Sequence, residues 1–141
     1  MIPDSRPDRH ALLELRALLT QIADLRDEGG AARFSADARY RWILHRLWIA
    51  AGNEALAYTQ ALGQPIRADK TWANLYDLRN HLAHSRLPDI DEGLVRRFAW
   101  ARLDSLRSTT EERESCPRGV SQRSTPSRPA GKPGRPAANA G

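Results

Sequence analysis

Leucine and isoleucine return every three or four residues early in the chain, at Leu12, Leu15, Leu18, Leu19, Ile22 and Leu25. An α-helix advances about 100° per residue, so this spacing gathers those side chains on one stripe. A strand of the same residues would scatter them over two faces, because its side chains alternate. The spacing recurs at Tyr40, Ile43, Leu44, Leu47, Ala51, Ala55, Tyr58 and Leu62. No segment alternates apolar with polar residues in the manner of a half-buried strand. A helix with one apolar stripe must bury it against other helices, so an all-α fold is expected.

Punctuating residues divide the chain into four main helices. Gly29 and Gly30 predict the end of the first, since glycine takes the left-handed conformation without a Cβ clash. Ser35 or Asp37 can cap the second helix, which Gly63 and Pro65 close. Asp69 is placed to cap a third, running from about Thr71 to Ser85. Pro88 and Asp89 make a corner into a fourth, which carries Ile90, Leu94, Phe98, Ala101 and Leu106. Connections this short favour antiparallel neighbours, so an up-down antiparallel helical bundle is expected. Trp42, Trp48 and Trp100 fall at helical spacing and are expected to pack in a core or interface rather than to stack on bases.

Charge is divided unevenly. Residues 1–114 hold 17 Lys and Arg against 17 Asp and Glu, and are expected to form the helical domain. The whole net charge of +5 sits in residues 115–141, on Arg118, Arg123, Arg128, Lys132 and Arg135. This Pro-, Gly-, Ser- and Arg-rich tail cannot bury enough apolar surface to offset the entropy of ordering, so it is expected to be disordered. It reads as a solvated extension or, functionally, as a salt-sensitive hold on RNA. The single cysteine, Cys116, leaves no internal disulfide framework and no thiolate-rich zinc site, and fits a reducing compartment. No apolar run approaches the roughly 20 residues of a membrane span. The opening residues "MIPDSRPDRH" lack the layout of a secretory signal. A cytoplasmic protein that is not held in a membrane is therefore expected.

The stretch "LYDLRNHLAHSRLPD", Leu75 to Asp89, concentrates the chain's polar chemistry. Laid out as a helix, Leu75, Leu78 and Leu82 form a core stripe with Arg79 at its edge. Asn80 and His84 are four residues apart and stack on one ridge facing away from that stripe, with Asp77 and His81 flanking it. Asp77 and His81 read as a surface hydrogen bond rather than half of a metal site. A phosphate-cradling Gly-rich loop, a Gly-x-Ser-x-Gly elbow and a His-Glu-x-x-His pair are all missing from the sequence, so no metal or cofactor is expected. Helical geometry alone makes the ridge a wet face with Arg79 snorkelling at its edge. Glu or Lys would serve such a face better than Asn and His, which are mediocre helix formers.

A second copy of the helix changes what the ridge can do. A two-fold dimer uses one patch twice, so two Arg79 and two His84 would converge in a cleft. Imidazole titrates near neutral pH and can take a proton from a ribose 2′-hydroxyl. Guanidinium presents a planar fork of donors to phosphate oxygens, where negative charge grows in the transition state. Asn80 could orient the imidazole. RNA would be cut and DNA spared, since DNA lacks the attacking hydroxyl.

Those residues carry a resemblance. Arg79-Asn80-x-x-x-His84 resembles the Arg-x4-6-His motif of the HEPN superfamily. "WANLYDLRNHLAH", with Trp72 seven residues before Arg79, resembles a block of HepT-like toxins, and "AAGNEALAY" resembles the Gly-Glu-Ala segment of their preceding long helix. "PDIDEGLV" is similar to the start of their last helix. The resemblance covers roughly Leu12 to Arg107 and implies an all-α, HEPN-like homodimer acting as a metal-independent endoribonuclease. Such a protein is the toxin of a toxin–antitoxin pair, with a small MntA-like nucleotidyltransferase antitoxin as partner. Arg79 and His84 would be catalytic, and Asn80 and Glu54 supporting, Glu54 either pairing with Arg79 across the bundle or standing exposed. Related toxins often carry a Tyr two residues after the His, which the antitoxin can modify with AMP. Here Arg86 occupies that place and has no hydroxyl. The alternative reading is a non-catalytic helical module that binds a nucleotidyltransferase or its nucleotide through the same ridge.

Overall fold

The computed structural model describes residues 6–115. The basic tail and Cys116 lie outside the described residues. Helix α1 spans Pro7–Ala36, α2 Ala38–Ala61 and α3 Lys70–His84. The last helix begins as α4 (Glu92–Arg97), passes through a π-helical segment (Phe98–Arg102) and continues as α5 (Leu103–Ser115). Short 3-10 turns at Ile66–Ala68 and Leu87–Asp89 make the two corners flanking α3. No strand occurs among the described residues. Ser115, the first residue assigned to the tail, is instead the last residue of α5.

Pairs of distant residues show that the helices run alternately up and down. Tyr40 donates its hydroxyl hydrogen bond to the Leu25 carbonyl across the α1–α2 turn. Arg79 meets Asn53, and Tyr58 meets Trp72, across α2 and α3. Arg26 reaches Asp104 at 3.3 Å, and Arg16 reaches Glu114 at 3.2 Å, across α1 and α5. Asp69 bonds the start of α3 to Arg113 near the end of α5 at 3.2 Å. The expected up-down arrangement of four helical rods is therefore present.

The core follows the apolar stripes. Leu15, Leu19 and Ile22 of α1, Leu44, Trp48 and Ala51 of α2, Leu75 of α3, and Val95 and Leu103 of the last helix are all fully buried. Aromatic rings lock the faces edge to face: Trp48 on Phe98 at 5.4 Å, Tyr58 on Trp72 at 5.4 Å, and Phe34 on Trp100 at 5.5 Å. The second helix differs from its expected stripe. Ile43 is 48% exposed and Trp42 is 45% exposed, so neither belongs to the core of the single chain. Trp48 is in the core instead, one turn beyond Leu44.

The glycine pair breaks the first helix where expected, and a short helical segment follows the break. Gly30 has φ 68° and ψ −178°, which kinks α1, and the helix then resumes to Ala36. The segment after the break carries Phe34 into the core against Trp100. Asp37, not Ser35, caps α2, accepting from the backbone N–H groups of Arg39 at 3.0 Å and Tyr40 at 3.3 Å. Asp69 caps α3 as expected, from the N–H of Thr71 at 2.9 Å. Asp91 caps α4 through the N–H of Leu94 at 3.1 Å.

The hydrogen bond from the Tyr40 N–H, reinforced by Arg33 and the Arg39 N–H, holds the Asp37 carboxyl below its ordinary range despite some opposing desolvation. A depressed carboxyl contributes stability above its unfolded pKa and loses it as pH falls through the folded one. Thermal unfolding should show Asp37→Ala less stable than wild type at neutral pH, with the gap narrowing as pH drops below the usual carboxylate range. Ser35→Ala should leave the melting temperature unchanged.

Candidate functional site

Gly52 of α2 sets where α3 can lie. A Cβ built on it would stand 2.9 Å from Cγ of Arg79 and 3.0 Å from the backbone oxygen of Leu75. The absence of a side chain at this buried position lets the α3 backbone approach α2 closely. Arg79 therefore leaves α3 against the α2 surface, with its stem packed and its guanidinium led outward. It is half-buried, as the edge position in the leucine stripe implies.

Two neutral oxygens hold that guanidinium. Nε donates to Oδ1 of Asn53 at 2.8 Å, and Nη1 donates to Oδ1 of Asn80 at 2.8 Å. Both are charge-assisted bonds from a cation to an uncharged acceptor, so they fix the side chain without cancelling its charge. Arg79 forms no salt bridge among the described residues. The arrangement differs from Arg16, Arg26, Arg33, Arg41, Arg67 and Arg113, each of which meets a carboxylate.

His84 lies five residues beyond Arg79, in the last turn of α3, and is exposed. Its ring has no hydrogen-bond partner among the described residues. Asn80 uses its oxygen on Arg79, and no bond joins it to His84. Arg86 is exposed just past the helix end. The structure thus brings Arg79 and Asn80 into contact and leaves His84 on the same helix as a free imidazole.

Glu54 stands apart from this group. Burial pushes its carboxyl above the ordinary range; the charge of Glu14 adds to the rise and His10 opposes it. Its electrostatic neighbours thus belong to α1, and it makes no ion pair with Arg79. The residue that reaches Arg79 from the "GNEA" segment is Asn53, which sequence reasoning passed over. Its adjacency to Gly52, on the face that must meet α3, was the available signal.

The remaining polar residues of α3 have structural partners. Asp77 is paired with Arg67 through bonds of 2.6 and 2.9 Å rather than with His81. That pair, more than any other influence, holds the Asp77 carboxyl below its ordinary range. His81 accepts from the backbone N–H of Asp91 at 2.8 Å through Nε2, and its Nδ1 faces Ser85 Oγ at 3.3 Å. It therefore pins the corner between α3 and α4. His45 is buried in α2 with Nε2 2.9 Å from Oε1 of Glu92. Trp72, the motif tryptophan, is buried between Tyr58 and Arg113 and cannot stack on a nucleic-acid base.

No family model, curated protein or solved structure matches the chain. Gly52→Ala should destabilise the fold by about 1–3 kcal/mol in urea unfolding, because Leu75 offers backbone rather than a movable side chain to the added methyl. Asn53→Ala should be milder and leave the α2–α3 packing in place.

Proposed function

We propose that the chain is a metal-independent endoribonuclease of the HepT-like toxin type, acting as a homodimer with Arg79 and His84 as catalytic residues. The observation that carries this reading is the state of Arg79: a fixed guanidinium whose charge no carboxylate neutralises, on the helix that also presents an unpartnered imidazole. A phosphodiester is the substrate such a cation suits, since its oxygens accept the fork of N–H donors left over by Asn53 and Asn80.

In this reading the neutral His84 ring takes the proton from the ribose 2′-hydroxyl. The 2′-oxygen attacks phosphorus, a bond from 2′-oxygen to phosphorus forms and the bond to the 5′-oxygen breaks. The leaving 5′-oxygen takes a proton from an imidazolium or water, giving a 2′,3′-cyclic phosphate and a 5′-hydroxyl. Arg79 binds the non-bridging oxygens as their charge grows. Asn80 and Asn53 are positioning residues that keep the guanidinium in place. No metal is needed for this step, because the nucleophile is internal to the substrate.

The alternative, a non-catalytic module that docks a nucleotidyltransferase antitoxin, is favoured by a separate observation. Trp42 and Ile43 expose apolar surface on α2 that the described residues leave uncovered. In the enzyme reading the same surface serves the twin chain or the antitoxin. With Arg86 in place of the modifiable tyrosine, neutralisation by direct contact suits this chain better than modification at that position.

Purified protein should cleave RNA in EDTA and leave DNA of the same sequence intact. Arg79→Ala and His84→Ala should each lower the rate by about 10²–10⁴-fold, His84→Ala with unchanged melting temperature and Arg79→Ala with a small loss from its stem packing, the chain still folded. Full cleavage by both variants would remove the site assignment. A wild type that is harmless on expression and inert towards RNA, yet binds a nucleotidyltransferase, would favour the docking module.

A further inference from the structure

Helix α3 has a second flank. It packs on α2 through one side, while α5 packs on α1. Between α3 and the last helix a cavity of about 370 Å³ remains open to solvent. That volume lies within the range of sites that hold small organic molecules. Lys70, Thr71 and Asn74 form one wall, and Arg102, Ser105 and Thr109 the other. Counted around the helix, Asn74 and Lys70 lie away from Arg79, and they stand ten and more residues before His84, on the order of 15–20 Å along the axis, so this is not the ribonuclease ridge.

The chemistry of the lining is one-sided. It contains two cations, Lys70 and Arg102, and no carboxylate. Neither cation has an ion pair among the described residues, whereas nearby Arg113 is held by Asp69 and Arg26 by Asp104. The floor is apolar, made by Phe98 and Leu106. Arg102 is draped over the Phe98 ring, its guanidinium carbon 5.0 Å from the ring centroid, which places the charge directly above that floor. Short hydroxyl side chains at Ser105 and Thr109 leave the space unfilled.

Backbone geometry contributes as well. Phe98 and Arg102 are the first and last residues of the π-helical segment. A π turn inserts a residue into the helix and shifts the register of the turns C-terminal to it, and such turns often occur at functional sites. Here the shift coincides with the residues that make the floor and the cation of the cavity.

We propose that the cleft between α3 and the π-helical start of α5 binds a small organic anion. Its phosphate or carboxylate head would be held by Lys70 and Arg102, and a compact apolar body would lie on Phe98 and Leu106. Hydroxyl and amide groups at Thr71, Asn74, Ser105 and Thr109 would bond the remaining polar atoms. The site would be independent of Arg79 and His84 and would give the protein a small-molecule input separate from its RNA chemistry.

The test is titration of the full chain with phenyl phosphate, benzoate, benzyl alcohol and inorganic phosphate, followed by amide chemical shifts. Saturable shifts at Thr71, Asn74, Ser105 and Thr109 are expected with phenyl phosphate or benzoate, and which of the two binds identifies the head group. Benzyl alcohol lacks the charge and inorganic phosphate lacks the apolar body, so each should bind at least about tenfold more weakly. Replacing both cations, Lys70→Gln with Arg102→Gln, should weaken binding by about tenfold or more, the loss expected for charge-assisted bonds. Both substitutions are at exposed positions, and an unchanged melting temperature shows that the fold survives. Arg79→Ala should bind as wild type does. No saturable binding by either aromatic anion, equal binding of inorganic phosphate, or binding indifferent to the double substitution would overturn the proposal.

Discussion

The approach of α3 to α2 at Gly52 is the constraint on which the arrangement around Arg79 depends. With a methyl at that position, the carbonyl of Leu75 and the stem of Arg79 would have to move away. Because they do not, Arg79 is trapped between two helices and its guanidinium emerges beside Asn53, the next residue of α2. A backbone contact, rather than an ion pair, thus decides where the cation sits. The consequence is electrostatic. A cation placed by a carboxylate is largely spent on it, while one placed by packing and two amide oxygens keeps its charge for something else.

Elsewhere the bundle uses carboxylates as fasteners, and several hold more than one group. Asp69 caps α3 and binds Arg113, so the start of one helix and the end of another share one residue. Glu92 accepts from buried His45 and lies 3.7 Å from Arg41. The histidines divide by these partners. His45 joins α2 to α4, and His81 holds the N–H of Asp91. His84 alone on α3 is exposed without a bonded ring nitrogen among the described residues. A ring bonded into a corner is committed there, whereas a ring with a bare nitrogen has one to offer a proton.

Periodicity and caps made most of the fold legible. The leucine stripes of α1 and α3 are the core, and Asp37 and Asp69 are caps because a short carboxylate before a helix reaches the first free N–H groups. What the sequence concealed was long-range. Gly30 does break the helix, but the segment after it turns helical again where Phe34 meets Trp100, and only the folded bundle brings the two together. Ile43 fits the helical stripe on spacing yet points out, because the stripe of α2 turns towards Trp48 and Gly52 as it contacts a second helix. Glu54 drew notice as a charge, while the neutral neighbour Asn53 makes the contact. A π turn has no marker in "FAWAR" that residue types alone reveal.

The free ring of His84 sharpens what the ribonuclease reading requires. A general base needs one bare imidazole nitrogen and the other protonated and held by an acceptor, so that a single tautomer faces the substrate. Among the described residues, Asn80 has its oxygen engaged by Arg79, and no other group bonds the ring. Single-chain geometry therefore supplies a fixed cation and an unfixed base. Two-fold pairing along α3 would place a second copy of this ridge opposite the first, and the missing acceptor could come from there. Under the ribonuclease reading, dimerisation would do more than bring two copies of the site together. In that reading it would turn His84 from a solvated side chain into an oriented base, and a monomer with every motif residue intact would still lack a poised catalyst.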